Sequence, residues 1–335
     1  MKKILICGAG GFIGGHLVSH FSKEKDVEIV CADIKPVNFW FQIDENLKNY
    51  SFDLKDYENA LKVTENVDYI FNFACNMGGM GFIENNKAEC MLSVLVNTNL
   101  LRAAKENNCK KYFFSSSACV YNASKQKKSF ISGLKETDAY PADPEDGYGW
   151  EKLFSERMCR HFSEDFGLET RIARYHNIYG PQGTFDGGRE KAPAALCRKI
   201  IEAKNKNLKK IDVWGDGEQT RSFLYIDDCI KGTLDVFNSK NHDIFNIGSE
   251  EQVSINEMIS KIEEIADYKV KKHYQLDKPK GVRGRSSNND YVTSKIGWKS
   301  ENTLKEGLEK TYRWIENQIN SGSNTDKFCR NILEQ

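Results

Sequence analysis

The chain has 335 residues, 39% hydrophobic and 11% aromatic, with 48 Lys and Arg set against 48 Asp and Glu. That is enough apolar material for a sizeable core in one large or two ordinary domains, and the even charge balance argues against a global preference for nucleic acid or an anionic membrane. The apolar run at residues 3–7 is too short for a signal peptide, no run approaches a membrane span, and the ten cysteines lack metal or redox spacing, so free thiols of a cytoplasmic protein without a metal site are expected.

Residues 3–7 read as a strand, and Gly8-Ala9-Gly10-Gly11-Phe12-Ile13-Gly14 opens a helix after it. Glycines at 8, 11 and 14 permit a tight turn, close approach of a pyrophosphate and close helix–strand packing, so Gly8, Gly11, Phe12, Ile13 and Gly14 are assigned to a dinucleotide. The strand over 27–32 ends at Asp33, whose carboxylate suits adenosine ribose hydroxyls and repels a 2′-phosphate. NAD is therefore favoured over NADP, with Lys35 as a counterweight. A third strand ends at 50–52, where Asp53 and Leu54 would lie near the adenine. Residues 67–73 read as a buried parallel strand, and the loop over 76–81 is placed to let a substrate reach the backbone at Gly78.

Residues 84–108 are expected as one long helix, and 110–114 as the strand that delivers Ser115-Ser116-Ser117-Ala118-Cys119. The polar stretch 122–147 reads as a surface loop without chemistry. A helix from Tyr148 to about Phe166 follows, then a strand over 170–174. Strand–helix alternation of this kind predicts a doubly wound parallel α/β sheet with a smaller C-terminal lobe. Residues 1–175 would mainly hold NAD and 176–319 a nucleotide sugar, with the two interleaved in the sheet. A helix over 304–319 precedes a polar tail, 320–335, expected to fray.

Tyr148 and Lys152 lie four apart and share a helix face. An ammonium there lowers the cost of a phenolate whose ordinary pKa is about 10. With Ser117 on the same hydroxyl, the trio can take a proton from an alcohol while a nicotinamide takes the hydride.

The glycine turn, Asp33, the serine run and Tyr148-x-x-x-Lys152, together with the stretch from Trp214 to Phe223, resemble the extended short-chain dehydrogenase/reductase superfamily over residues 1–318. Five further stretches resemble its branch that epimerises GDP-sugars: Met77-Gly78-Gly79-Met80-Gly81-Phe82, Ser116-Ser117-Ala118-Cys119, His176-Asn177-Ile178-Tyr179-Gly180-Pro181, residues 187–193 and Gly281-Val282-Arg283-Gly284-Arg285. The resemblance implies bound NAD, a homodimer joined through helices 84–108 and 148–166, and GDP-mannose inverted at C3 and C5 through a transient C4 ketone. It also implies Cys119 as base and Lys191 as acid. Thiol and amine can both be moved toward working pH by burial and charge, and on an extended strand Cys119 would face the same cleft as Ser117.

Lys199, Arg221 and Arg285 are candidates for the diphosphate, and Arg283 is a weaker one. Asn177, Glu190, Ala192 and Gln219 are expected around the sugar or phosphate, and His176 behind them. Ala118-Cys119 stands where a 4,6-dehydratase would carry an Asp-Glu pair. The competing readings are a nucleotide-sugar 4-epimerase, which would leave Cys119 and Lys191 without a task, an enzyme acting on a GDP-heptose, and a non-catalytic NAD-binding regulator.

Overall fold

The computed structural model describes residues 1–321 and 326–329. Strands β1 (Lys2–Cys7), β2 (Val27–Asp33), β3 (Lys48–Ser51), β4 (Tyr69–Asn72), β5 (Lys111–Ser117), β6 (Glu169–Tyr175) and β7 (Ile244–Ile247) form one sheet. Its order is β7-β6-β5-β4-β1-β2-β3, and every pairing is parallel. The helices that bear on the site are α1 (Phe12–Phe21), α2 (Tyr57–Val63), α3 (Met80–Asn85), α4 (Lys87–Met91), α5 (Ser93–Glu106), α6 (Tyr148–Phe166), α7 (Ala192–Asn205) and α8 (Ile226–Asn238).

Side-chain alternation along β1 explains the two-sided core. Ile4 and Ile6 face Leu17 of α1 and Val236 and Phe237 of α8, while Leu5 and Cys7 face Ala60 of α2, Leu100 of α5 and Cys159 of α6. The chain moves outward from β1 to β3 and returns to β4 on the other side. The carboxyl ends of β1 and β4 therefore flank a crevice where such sheets bind ligands.

Two expectations need correction. The stretch 84–108 is not one helix. Asn86 (φ −130°, ψ 45°) leaves the helical region, and its side-chain amide donates to Phe82 O at 2.9 Å, so α3 ends there and α4 begins. A turn at Leu92 then separates α4 from α5. Nor is 122–147 a bare surface loop. Leu134 N donates to Ser286 O at 2.9 Å, Asn288 N donates to Leu134 O at 3.1 Å, and Gln126, Leu134 and Ala139 are buried. The segment is a strap binding the sheet to the second half of the chain.

That second half adds small ribbons: Thr220–Ser222 lies between Gln252–Ser254 and Gly284–Arg285, and Lys210–Trp214 pairs with Lys271–Gln275. It also supplies β7 to the main sheet. Of the tail expected to fray, 322–325 and 330–335 lie outside the described residues, but Asp326–Cys329 is a helical turn whose Phe328 is buried against Phe41, Phe185 and Trp314. An aromatic ring with an apolar slot to fill outweighs the polar composition around it.

Helix α6 is fixed to β6 by a buried pair. Arg174 donates to both carboxylate oxygens of Glu156, at 2.8 and 2.7 Å, and to Glu136 O at 2.6 Å, while Ser116 donates to Glu156. Removing one partner strands the other charge in the interior. Arg174→Ala is therefore expected to cost about 3–5 kcal/mol of unfolding free energy, read from urea denaturation. A loss under about 1 kcal/mol would mean that the pair does not anchor the helix.

Candidate active site

A cleft of about 650 Å³ runs along the carboxyl ends of the strands. Gly8, Gly11, Phe12, Ile13, Gly14, Asp33, Asp53 and Leu54 all line it, as the sequence predicts. Gly8 has φ +78°, and a Cβ there would lie 2.9 Å from the backbone of Phe73 and Ala74. A Cβ on Gly14 would come within 2.1 Å of Gly8 O, so only glycine lets α1 meet β1 this closely. The first turn of α1 thus presents bare backbone and a helix N-terminus to the cleft, which fits a dinucleotide diphosphate.

Asp33 ends β2 and accepts from Lys35 N at 2.9 Å. Burial raises its pKa, and the Lys35 charge and neighbouring amides counter that. The Lys35 ammonium turns back, donating to Gly10 O at 2.7 Å and lying 3.8 Å over the Phe41 ring. That leaves Asp33 as the acid facing the ribose side of the cleft, which favours NAD.

At the end of β5 the three serines divide their work. Ser115 donates to Asn72 O and Ser116 to Glu156, while Ser117 lies beside the Tyr148 phenol. Tyr148 opens α6 directly after Gly147 (φ +62°), where a Cβ would meet Lys87 at 3.1 Å. Burial, then Cys75, Cys119 and Glu151, push the phenol well above its ordinary pKa, against the pull of Ser117. Lys152 is buried, 5.6 Å from the Tyr148 ring centroid and 3.7 Å from Glu151 Oε2. Burial alone would discharge it, but the Cys75 sulfur and Glu151 hold it above the ordinary lysine range. The two share the first turns of α6, but the ammonium is engaged first by Cys75 and Glu151 and the phenol stays well above its ordinary range.

Cys119 reaches the site by a different route from the extended strand predicted for it. It sits in a helical turn, Ala118–Val120, and its N–H donates to Ser117 Oγ at 3.2 Å. Arg285 donates to Cys119 Sγ at 3.5 Å, to Glu145 at 2.8 Å and to Gln126 Oε1 at 2.7 Å. Burial and then the Glu145 carboxylate push the thiol up to about 11, against the pull of Arg285. Lys191 precedes α7, lines the cleft, and is shifted below the ordinary lysine range by burial, opposed by Cys119 and Cys75.

This placement depends on a close backbone crossing. Gly79 N donates to Arg189 O at 3.0 Å, and a Cβ on Gly79 would lie 2.4 Å from Glu190 O. The methionine- and glycine-rich loop thereby fixes the peptide that carries Lys191.

Arg221 is 9% exposed and donates to two carbonyls, Thr220 O at 2.7 Å and Lys280 O at 3.1 Å. Burial and then Arg285 lower its pKa to about 10. A buried guanidinium that donates to carbonyls suits an incoming phosphate. Gln219 donates to Trp214 O, and its buried Oε1 has no partner among the described residues, ready to accept from a ligand.

Other candidates stand apart. Lys199 donates to Asp212 O at 2.9 Å on an exposed face. Glu190 accepts from Gly188 N at 2.7 Å and lies 3.8 Å from Arg198. Neither lines the cleft, nor do Asn177, which donates to Ser222 O, or Gly78, which packs on Phe82. Cys119, Lys152, Gln219, Arg221 and Arg285 also lie outside its lining, Cys119 being tied to it through Ser117 and Arg285 through Cys119. Ala192 only begins α7. Arg283 Nη1 donates to both carboxylate oxygens of Asp216, and His176 is buried, with burial lowering its pKa to about 3. The sequence reading missed Cys75, Gln126 and Glu145. Glu145 could have been suspected from its place three residues before Tyr148.

The model of the NAD dependent epimerase/dehydratase family matches residues 4–248. A GDP-mannose 3,5-epimerase of Arabidopsis thaliana is 45% identical over 318 residues, covering 95% of this chain and 83% of the relative. GDP-L-colitose synthase of Yersinia pseudotuberculosis is 29% identical over 327 residues, covering 95% and 99%. A solved UDP-glucuronic acid 4-epimerase from Bacillus cereus, in complex with UDP-glucuronic acid and NAD, superposes with a TM-score of 0.79 at 26% identity, covering 94% of this chain and 99% of that one.

Proposed function

The chain belongs to the NAD-dependent epimerase/dehydratase family, and from that premise we propose that it epimerises a GDP-sugar, GDP-mannose, at C3 and C5. Residues 1–175 mainly hold NAD and 176–319 mainly the nucleotide sugar. The glycine turn, Asp33 and the Tyr148–Lys152 pair hold the cofactor, which supplies the transient hydride acceptor for C4 when bound. Ser117 orients the sugar 4-hydroxyl and Tyr148 takes its proton, with the charged Lys152 beside the phenol. A C4 ketone acidifies the hydrogens on C3 and C5. Cys119 removes such a proton from one face and Lys191 returns one from the other, inverting the centre. Arg221 and Arg285 bind the diphosphate.

What supports this reading is that Ser117, Tyr148 and Lys191 line one cleft, while Cys119 follows Ser117 in a turn and contacts Arg285. A 4-epimerase has no use for that additional acid and base. Proton NMR of GDP-mannose with the protein in heavy water tests it. Loss of the H3 and H5 signals with new epimer resonances is expected, whereas a 4-epimer without deuterium at C3 or C5 would favour the 4-epimerase.

We also propose a homodimer. Met91, Leu92 and Leu95 on one side and Trp150 and Phe154 on α6 are 41–52% exposed, and α4 and α5 pack beside α6. A second copy laid across this face would cover them. Light scattering should give twice the 38.3 kDa chain mass, and Phe154→Asp should shift the protein toward monomer. A wild-type monomer at micromolar concentration would rule the dimer out. The nine described cysteines are all free, which supports a reducing, cytoplasmic setting. Among the described residues no helix is long and apolar enough to cross a membrane.

A further inference from the structure

The strap over 122–147 ends in a buried carboxylate that the proposed reaction leaves without a task. Glu145 N donates to Cys119 O at 3.0 Å, which fixes the two residues side by side, and the Glu145 carboxylate raises the pKa of the Cys119 thiol. Arg285 spans both, with one guanidinium nitrogen 2.8 Å from Glu145 Oε2 and the other 3.5 Å from Cys119 Sγ. The Glu145 side chain is 11% exposed, and it also lines a second, open cleft of about 590 Å³ with Met80, Lys87 and Gly281. Cys119 is not among the residues lining that cleft. Glu145, and not the thiol, is the member of the pair that meets this cleft.

We propose that Glu145 and Cys119 act as one proton-sharing pair, in which the Glu145 carboxylate accepts the thiol hydrogen, aligns Sγ and takes the proton when the thiol becomes the base. The inference rests on the assignment of Cys119 as the base in the proposed function. In the step, the S–H bond breaks, an O–H bond forms on Glu145, and the electron pair stays on sulfur. Arg285 then faces a thiolate in place of a carboxylate, so the net charge of the trio is unchanged. The thiolate takes a proton from carbon and becomes a thiol again. The pair now holds one proton more than at the start of that step, and Lys191, having delivered one, holds one fewer. Glu145 then releases one proton into the open cleft it lines and Lys191 takes one up from the cofactor cleft, which resets the site.

Burial would raise the Glu145 pKa, but Arg285, the Cys119 thiol and Arg221 hold it below the ordinary range. It therefore rests as a carboxylate, and the thiol proton reaches it only as Arg285 turns its charge toward the sulfur. The other groups acting on Cys119 are Arg285, Arg221, Lys191, Tyr148 and Ser117. Removing the Glu145 charge leaves the cationic side chains unopposed and should ease ionisation of the thiol.

The test is the pH dependence of iodoacetamide alkylation at Cys119 in the NAD-bound protein, located by mass spectrometry. Glu145→Gln should move the profile to lower pH by about one unit, seen as roughly tenfold faster alkylation at any pH below both midpoints. Glu145→Asp, which keeps the charge, should stay near wild type. Deuterium entry into the sugar should slow about tenfold or more in Glu145→Gln while NADH formation continues. A Gln profile that is unmoved or moved upward would overturn the pairing, as would a wild-type thiol that ionises as easily as free cysteine. If Glu145→Gln does not fold, the wild-type midpoint and the Asp variant decide. If wild-type protein exchanges no deuterium from GDP-mannose, the proposed function fails, while the alkylation profiles still decide whether the two residues share a proton.

Discussion

Cys119→Ala is expected to abolish epimerisation, by about 10²–10⁴-fold, while leaving the first oxidation intact. The substitution removes only the sulfur from a helical turn whose backbone is held by Ser117 and Glu145. The glycine turn and Asp33 lie elsewhere along the cleft, so NAD content should match wild type. Tyr148, Ser117 and Lys152 still face the 4-hydroxyl, so GDP-mannose should produce a transient rise in NADH fluorescence. The ketone then has no base beside C3 or C5, and the sugar signals should persist in heavy water. Turnover close to wild type would remove Cys119 from its role. Loss of the NADH signal as well would mean that the residue serves binding instead.

Tyr148→Phe should have the opposite signature, with no NADH formed and no epimer. Rates should fall by about 10²–10⁴-fold at every step. The phenol is buried, and its replacement keeps the ring that packs with Phe82, Ile83, Cys90 and Cys119, so the fold and NAD content should be preserved. Only the hydroxyl beside Ser117 is lost. Because burial pushes this phenol well up, the wild-type oxidation step should quicken as pH rises from neutrality, and the variant should lose that dependence. A variant that still reduces NAD would show that another group takes the 4-hydroxyl proton.

What the sequence revealed of this site follows from range. The glycine turn, Asp33 and the Tyr148–Lys152 pair are legible because each is a local pattern, fixed by one turn or one helical repeat. Cys119 was assigned through the family resemblance, and the extended strand expected to aim it is in fact a helical turn. Glu145 and Gln126 were hidden because their meaning depends on Arg285, which lies 140 and 159 residues further on. Lys199 and Glu190 carried the right charges for ligands, but nearby backbone groups absorb both. The break at Asn86 arises from a side chain competing with the backbone, which hydrophobic periodicity does not register.

The placement of β7 beside β6 bears on how this enzyme could be re-engineered or could have diverged. A chimera that takes its cofactor half from one relative and its substrate half from another, joined once near residue 175, would import a foreign edge strand. It would also set a native strap against foreign Ser286 and Arg285 partners. Swapping sugar preference between relatives therefore calls for several crossovers that spare Ile244–Ile247 and carry 122–147 together with 281–288. In this architecture recombination is constrained by which segments touch, and a single cut in the gene does not separate them.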